Sequence, residues 1–268
     1  MSVWLILVTS LAAFCAVFAG CFLLCRRLDN YGFVDVAWSY AFGMLAAFYA
    51  VTGAGWWPRR LLFAIMVGLW SLRLGTHLLR RLVAHHPAED GRYRQLRQDW
   101  AGNFVPKMFG FFQLQAASVV LLGGAFLWPM RNIVPAFHGL ELGGAALWLV
   151  AIVGEAVADG QLAAFKRDAA NQGRVCAAGL WRYSRHPNYF FEWLAWVAYF
   201  VFALRSPWGW LAAIGPASIL YLLLRVTGIP LTEQQSLRSK GDAYRRYQAV
   251  TSAFVPWPSR RSSAKGGR

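Results

Sequence analysis

Gly179-Leu-Trp-Arg-Tyr-Ser-Arg-His-Pro-Asn-Tyr-Phe-Phe-Glu192 crowds cations, tyrosines, an amide and an acid against the start of an apolar run that continues to Ala203. A membrane protein seldom spends so many polar groups at one bilayer boundary without a ligand. Arg182, Arg185 and His186 suit phosphate oxygens. Asn188 and Glu192, four residues apart on one helical face, suit an amide or hydroxyls. The plainer reading is an interfacial cationic collar.

Working outward, the composition sets the same scene. Of 268 residues, 57% are hydrophobic and 15% charged, so the apolar surface exceeds what one soluble core absorbs. The fold class expected is all-α and polytopic. Candidate spans of about 17–25 residues are Val3–Cys25, Val34–Val51, Leu61–Leu79, Gly110–Met130, Gly143–Phe165, Tyr189–Ala203 and Trp208–Leu224, seven in all. With the N-terminus outside, 22 of the 27 Lys and Arg fall in connections on one side and four on the other, Arg73 lying within the third span. The positive-inside rule makes the populous side, and the C-terminus, cytoplasmic. The net charge of +15 is then mainly a topology signal, and no basic module with interleaved stacking aromatics points to nucleic acid. The first span lacks the basic n-region of a signal peptide and is read as a retained helix. Cys15, Cys21, Cys25 and Cys176 show no metal-ligand spacing, so free thiols and no metal site are expected. The terminal Ser259–Arg268 stretch reads as a disordered basic tail.

Ionisable groups inside spans are costly and need a partner, a cavity or a task. Asp35, Arg73, His77, Glu155 and Asp159 stand out, with Arg73/His77 and Glu155/Asp159 each spaced four apart on one face. Acid–base pairing between helices is the plain alternative. Two like charges on one face, Glu155 and Asp159, favour a ligand that donates hydrogen bonds to both. At the cytoplasmic end, Lys166, Arg167, Arg174 and the Arg92–Arg97 stretch add cations that fit a dinucleotide with three phosphates. Anionic lipid explains the same charges more plainly. Neither GxGxxG nor GxxxxGK[ST] occurs, so a Rossmann domain or P-loop is not indicated.

On these residues, Glu155 to Pro256 resembles the C-terminal domain of the steroid 5α-reductase family, most closely in Gly179–Glu192 and from Pro230-Leu-Thr-Glu233 to Pro256. The whole chain is similar to that family's bacterial multi-span relatives, catalogued as a domain of unknown function. The Arg185-His-Pro-Asn-Tyr189 core is also similar to isoprenylcysteine carboxyl methyltransferases and to sterol C14- and C7-reductases. The resemblance implies a seven-helix enzyme of the bacterial inner membrane that holds NADPH in a cytoplasm-facing cavity and reduces an activated C=C bond. It also implies a substrate-side region over residues 1–130 and a cofactor-binding domain over 131–258.

Residue by residue, Asn188 and Glu192 match the family's asparagine and glutamate at the nicotinamide. Asp159 matches an aspartate at the adenosine, Lys166 stands for a phosphate-binding arginine, and Tyr244 matches a C-terminal tyrosine. Glu155 replaces an asparagine and Glu233 roughly replaces a histidine. Arg167, Arg174, Tyr183, Arg185, His186 and Tyr189 complete the expected cofactor set. The steroid enzymes polarise the 3-keto oxygen with a Gln-Glu pair and a tyrosine, which this chain lacks. Asp35, the only acid of the second span, is the expected donor, with Tyr40 or Arg73 as its stand-in, and Trp70 falls where the tyrosine would be. An Asp35–Arg73 ion pair would make the acid structural instead. The expected function is NADPH-dependent reduction of a lipophilic enone such as a 3-oxo-4-ene steroid. The alternatives are an S-adenosylmethionine-dependent methyltransferase and a non-catalytic lipid-binding protein.

Overall fold

The computed structural model describes residues 2–259. The predicted tail from residue 260 onward lies outside the described residues. The chain forms eleven α-helices among the described residues: α1 Val3–Leu28, α2 Phe33–Thr52, α3 Trp57–His85, α4 Gly91–Asp99, α5 Phe104–Gly123, α6 Leu127–Arg131, α7 Gly139–Arg167, α8 Pro187–Ala203, α9 Ile214–Tyr221, α10 Ile229–Lys240 and α11 Asp242–Val250. No strand forms among them; Ser184 and Ser252 make one isolated bridge.

Among the described residues six helical stretches are long and apolar enough to cross a membrane: Val3–Leu28, Phe33–Thr52, Trp57–His85, Ala101–Arg131, Gly139–Arg167 and Gly209–Lys240. The last runs on through a π-helical turn at Leu222–Val226. The remaining predicted span, Tyr189–Ala203, lies in α8, a helix of 17 residues. Large apolar side chains stand exposed along these helices, Val8, Leu23, Val51, Leu69, Leu121 and Val153 among them. A soluble surface does not carry so many, and lipid does. The chain therefore reads as a multi-pass membrane protein.

Two compact units divide the chain. The first holds residues 1–138 together with Ala203–Ala212. Its core is aromatic: Phe22 meets Phe112 edge-on at 5.5 Å, and Phe42 packs between Trp38 at 4.7 Å and Trp70 at 5.5 Å. Small polar residues draw α2 onto α3, where Ser71 donates to the Ser39 carbonyl at 2.6 Å and accepts from the Gly43 amide at 3.1 Å. Buried Arg59 holds residues 132–136 in this unit by donating to the carbonyls of Asn132, Val134 and Ala136.

The second unit holds residues 139–202 and 213–268. Here α7 and α8 pack closely at Gly144, where an added Cβ would lie 2.8 Å from the Phe202 amide nitrogen and 3.0 Å from the Ala198 carbonyl. Close approach of two backbones at a small residue is a common basis of helix packing in membranes.

Candidate functional site

Two hydrogen bonds fix the register of α7 against α8. Near one end the Asn188 amide donates to the Asp159 carboxylate at 3.2 Å; further along, the Trp148 indole donates to the Tyr199 hydroxyl at 3.1 Å. Trp148 to Asp159 is a step of eleven residues, and so, in the opposite sense, is Tyr199 to Asn188. The helices are thus antiparallel and in constant register over about 16 Å at 1.5 Å per residue. That register sets Glu155 opposite Glu192, and Tyr199 lies within electrostatic reach of both carboxylates. Glu192 also accepts from the Trp196 indole at 3.2 Å, and Glu155 is buried. The result is a file of paired polar groups, acid with amide and acid with acid, on otherwise apolar helices. A carboxylate beside a carboxamide can accept from ribose hydroxyls and pair with a nicotinamide carboxamide or an adenine amino group.

The signature segment reaches this file through a clasp. Arg185 spends its guanidinium internally, donating to Glu233 at 2.6 Å, to the Thr251 carbonyl at 2.6 Å and to the Gln248 carbonyl at 3.1 Å. Its side chain is 11% exposed, and that of Glu233 16%. Glu233 also accepts from Gln248 at 2.9 Å and stands 3.4 Å from His186 Nε2. The His186 ring stacks flat on Tyr189, whose hydroxyl lies 3.1 Å from Thr232 Oγ1. Backbone bonds finish the join: Arg185 N to Ser252 O, Ser184 Oγ to Phe254 O and Trp257 N to Tyr183 O. Tyr247 donates to the Trp181 carbonyl, and Trp181 in turn donates to the Ala158 carbonyl of α7 at 2.9 Å. Burial, reinforced by the nearby Glu233 charge, pushes the Tyr244 hydroxyl up to about 12, so it remains a proton-bearing donor at neutral pH.

Arg185 is thereby a structural residue of the clasp, its donors spent within the protein rather than on the phosphate expected of it. Lys166, Arg167, Arg174 and Arg182 are all exposed, at the C-terminal end of α7 and in the connection that follows it. Glu233 is likewise occupied by the clasp, as are His186 and Tyr189. Tyr183 is 41% exposed and contributes its carbonyl to the Trp257 amide.

In the first unit Asp35 has partners that differ from those expected. Both oxygens accept, from Arg92 Nη2 at 2.8 Å and from the Tyr93 hydroxyl at 2.9 Å. A carboxyl that accepts at both oxygens offers no donor to a substrate carbonyl, which is the physical reason for setting the donor role of Asp35 aside. Burial and the Asp35 charge push the Tyr93 hydroxyl well above its usual range. Arg92 also pairs with Asp90, and although burial opposes it, the Arg92 charge holds the Asp90 carboxyl low. Arg97 completes the cluster between Glu89 at 2.7 Å and Asp29 at 2.7 Å, over the rings of Tyr31 and Phe104. Tyr40, half-buried on α2, has its hydroxyl 3.0 Å from Thr76 Oγ1 of α3, with Gly75 against its ring. Arg73 lies one turn from Thr76 on α3.

The sequence reading assigns Asp159 and Asn188 to different parts of one cofactor and did not foresee their direct contact. It missed Trp148 and Tyr199, whose spacing from Glu155 and Glu192 by seven residues was the available signal. It also missed Arg92 and Tyr93 as the partners of Asp35.

A family model described as "Protein of unknown function (DUF1295)" matches residues 21–251, a range that contains every candidate residue from Asp35 to Tyr244. One curated relative, the "Uncharacterized protein C594.04c" of Schizosaccharomyces pombe (strain 972 / ATCC 24843), is 28% identical, over 74% of this chain and 63% of the relative. The chain therefore spans less than two thirds of that relative's length. No solved structure matches.

Proposed function

The chain belongs to the DUF1295 family, and we propose that it is an NADPH-dependent membrane reductase acting on the C=C bond of a lipophilic enone, a 3-oxo-4-ene steroid or a similar polycyclic lipid. The observation that carries this reading is the polar file between α7 and α8, in which Asp159 and Asn188 are in contact and Glu155 faces Glu192 one turn away. Ionisable groups within apolar helices are costly and need a partner, a cavity or a task, and a cluster of three acids and an amide is more than pairing two helices requires.

The residues present fit the cofactor. Asn188 and Glu192 hold the carboxamide, Asp159 and Glu155 take ribose or adenine groups, and the exposed Lys166, Arg167, Arg174 and Arg182 meet the phosphates. When bound, NADPH supplies a hydride to the β-carbon of the enone. The chain's part is to orient and to exclude water. With Asp35 engaged by Arg92 and Tyr93, Tyr40 and Arg73 are the first unit's remaining candidates for a donor to a substrate carbonyl. In this reading α8 is a seventh span, the N-terminus faces outward and the cofactor site faces the cytoplasm.

A methyltransferase using S-adenosylmethionine is the second reading, favoured by the extra acid Glu155, since a sulfonium carries positive charge and no phosphate. The deciding assay is NADPH oxidation by purified protein with a 4-ene-3-keto steroid, for wild type and Glu192→Ala. The reductase reading expects turnover in the wild type and loss of at least ~10-fold in the variant, from the lost charge-assisted hydrogen bond of about 1.5–3 kcal/mol. Undiminished activity in well-folded Glu192→Ala contradicts the assignment.

A further inference from the structure

One end of the first unit is built to display indoles. Trp4 begins α1, Thr52 ends α2, Trp57 begins α3 and Arg131 ends α6, so short connections and antiparallel helices bring these termini to the same end. The segment Ala203–Ala212 is fastened there: Asn132 donates to the Ser206 hydroxyl at 3.3 Å, while its own carbonyl accepts from the Trp56 amide at 2.9 Å and from Arg59 at 2.9 Å.

Within that segment, Pro207-Trp208-Gly209-Trp210 adopts a tight turn. Trp208 has φ +61°, in the left-handed region that bulky side chains avoid. Gly209 has no room for a Cβ, which would overlap the Ala203 carbonyl. The turn therefore forces an unfavourable backbone on a tryptophan, and its outcome is that Trp208 and Trp210 stand 62% and 60% exposed. Trp57 and Trp4 at the same end are 56% and 78% exposed. Of the four arginines near this end, Arg59 and Arg60 are engaged internally, Arg131 is half-buried and Arg205 is exposed. Arg59 is buried under Trp56, and Arg60 donates to the Ala50 and Gly53 carbonyls and sits 5.7 Å from the Trp57 ring.

From this we infer that the Pro207–Trp210 turn, with Trp57 and Trp4, is an interfacial anchor that seats this end of the protein at the headgroup–acyl boundary of the bilayer. Indole is amphipathic, apolar over its face and a donor at its N–H, and it partitions to that depth rather than to water or to the hydrocarbon centre. The occupant is lipid because the exposed tryptophans continue directly into exposed Val51, Leu61, Ile65 and Val8 on the spanning helices. Of the nearby cations, Arg59 and Arg60 are tied up internally while Arg205 is exposed. Trp208 thus carries an exposed indole at a left-handed backbone position where glycine would be unstrained.

The test uses the full-length protein in phosphatidylcholine bilayers with bromine at shallow (6,7) or deep (11,12) acyl positions. Wild type is compared with Trp208→Phe/Trp210→Phe and with Trp210→Phe alone, whose backbone is unstrained and whose folding is the safer control. The fluorescence removed by each substitution should be quenched at least ~2-fold more by shallow than by deep bromines. Equal and weak quenching at both depths, as a water-exposed or protein-covered turn would give, overturns the inference; so does stronger quenching by the deep label.

Discussion

Arg185 and the group Lys166, Arg167 and Arg174 look alike in the sequence, as cations flanking one polar segment, and the structure gives them opposite work. Arg185 is nearly enclosed and donates to one carboxylate and two carbonyls. The other three stand exposed beside the end of α7. The difference teaches that a cation near a candidate ligand site counts as a ligand only if its donors are not already spent. Arg185 holds the C-terminal segment against Ser184–His186, and the exposed cations keep their charge at the surface.

Breaking the clasp should have the largest effect. Arg185→Ala leaves Glu233 with a partly buried charge and two carbonyls without their donor, and should lower unfolding stability in detergent by about 3 kcal/mol. Denaturant titration followed by tryptophan emission reads it. An effect below ~1 kcal/mol would place Arg185 with the exposed group after all.

Asp35 gives a middle case. Asp35→Asn keeps a hydrogen-bond acceptor for Tyr93 but loses the ion pair with Arg92, and should cost about 1–2 kcal/mol of stability while leaving NADPH affinity within twofold. A loss of turnover of ~10²-fold with unchanged stability would restore Asp35 as the donor and displace Tyr40.

The exposed cations should show the reverse pattern. Lys166→Ala, Arg167→Ala and Arg174→Ala should each shift stability by less than about 0.5 kcal/mol. At least one should weaken NADPH binding more than NADH binding, because only the 2′-phosphate distinguishes the two. Equal affinities for both cofactors across all three variants would move the phosphates to Arg182 or to the Arg92–Arg97 helix.

Much of the fold was legible because hydrophobic length is a local signal. Six predicted spans became helices long enough to cross a membrane, and Glu155/Asp159 and Asn188/Glu192, each four residues apart, lie on α7 and α8 as expected. The Asp159–Asn188 contact, made across 29 residues, was not foreseen. What stayed hidden depends on contacts distant in sequence. Arg185 finds its carbonyls 63 and 66 residues away, and Asp35 finds Arg92 across 57 residues, past the nearer Arg73. No pattern of charge or periodicity selects one arginine over another at that range. Trp148 and Tyr199 were missed for a different reason, since aromatic residues in a span read as packing until a partner's hydroxyl is seen opposite.

The central claim is that the α7–α8 file holds NADPH. Its most direct test is the melting temperature of purified wild-type protein in detergent with NADPH or with S-adenosylmethionine, and of Asn188→Ala with NADPH. Saturation to about 100 times Kd adds about 2.7 kcal/mol to the folded state. The account predicts a rise of several degrees with NADPH, none with S-adenosylmethionine, and a rise at least halved in Asn188→Ala. A rise with S-adenosylmethionine alone, or a full NADPH shift in the variant, would contradict it.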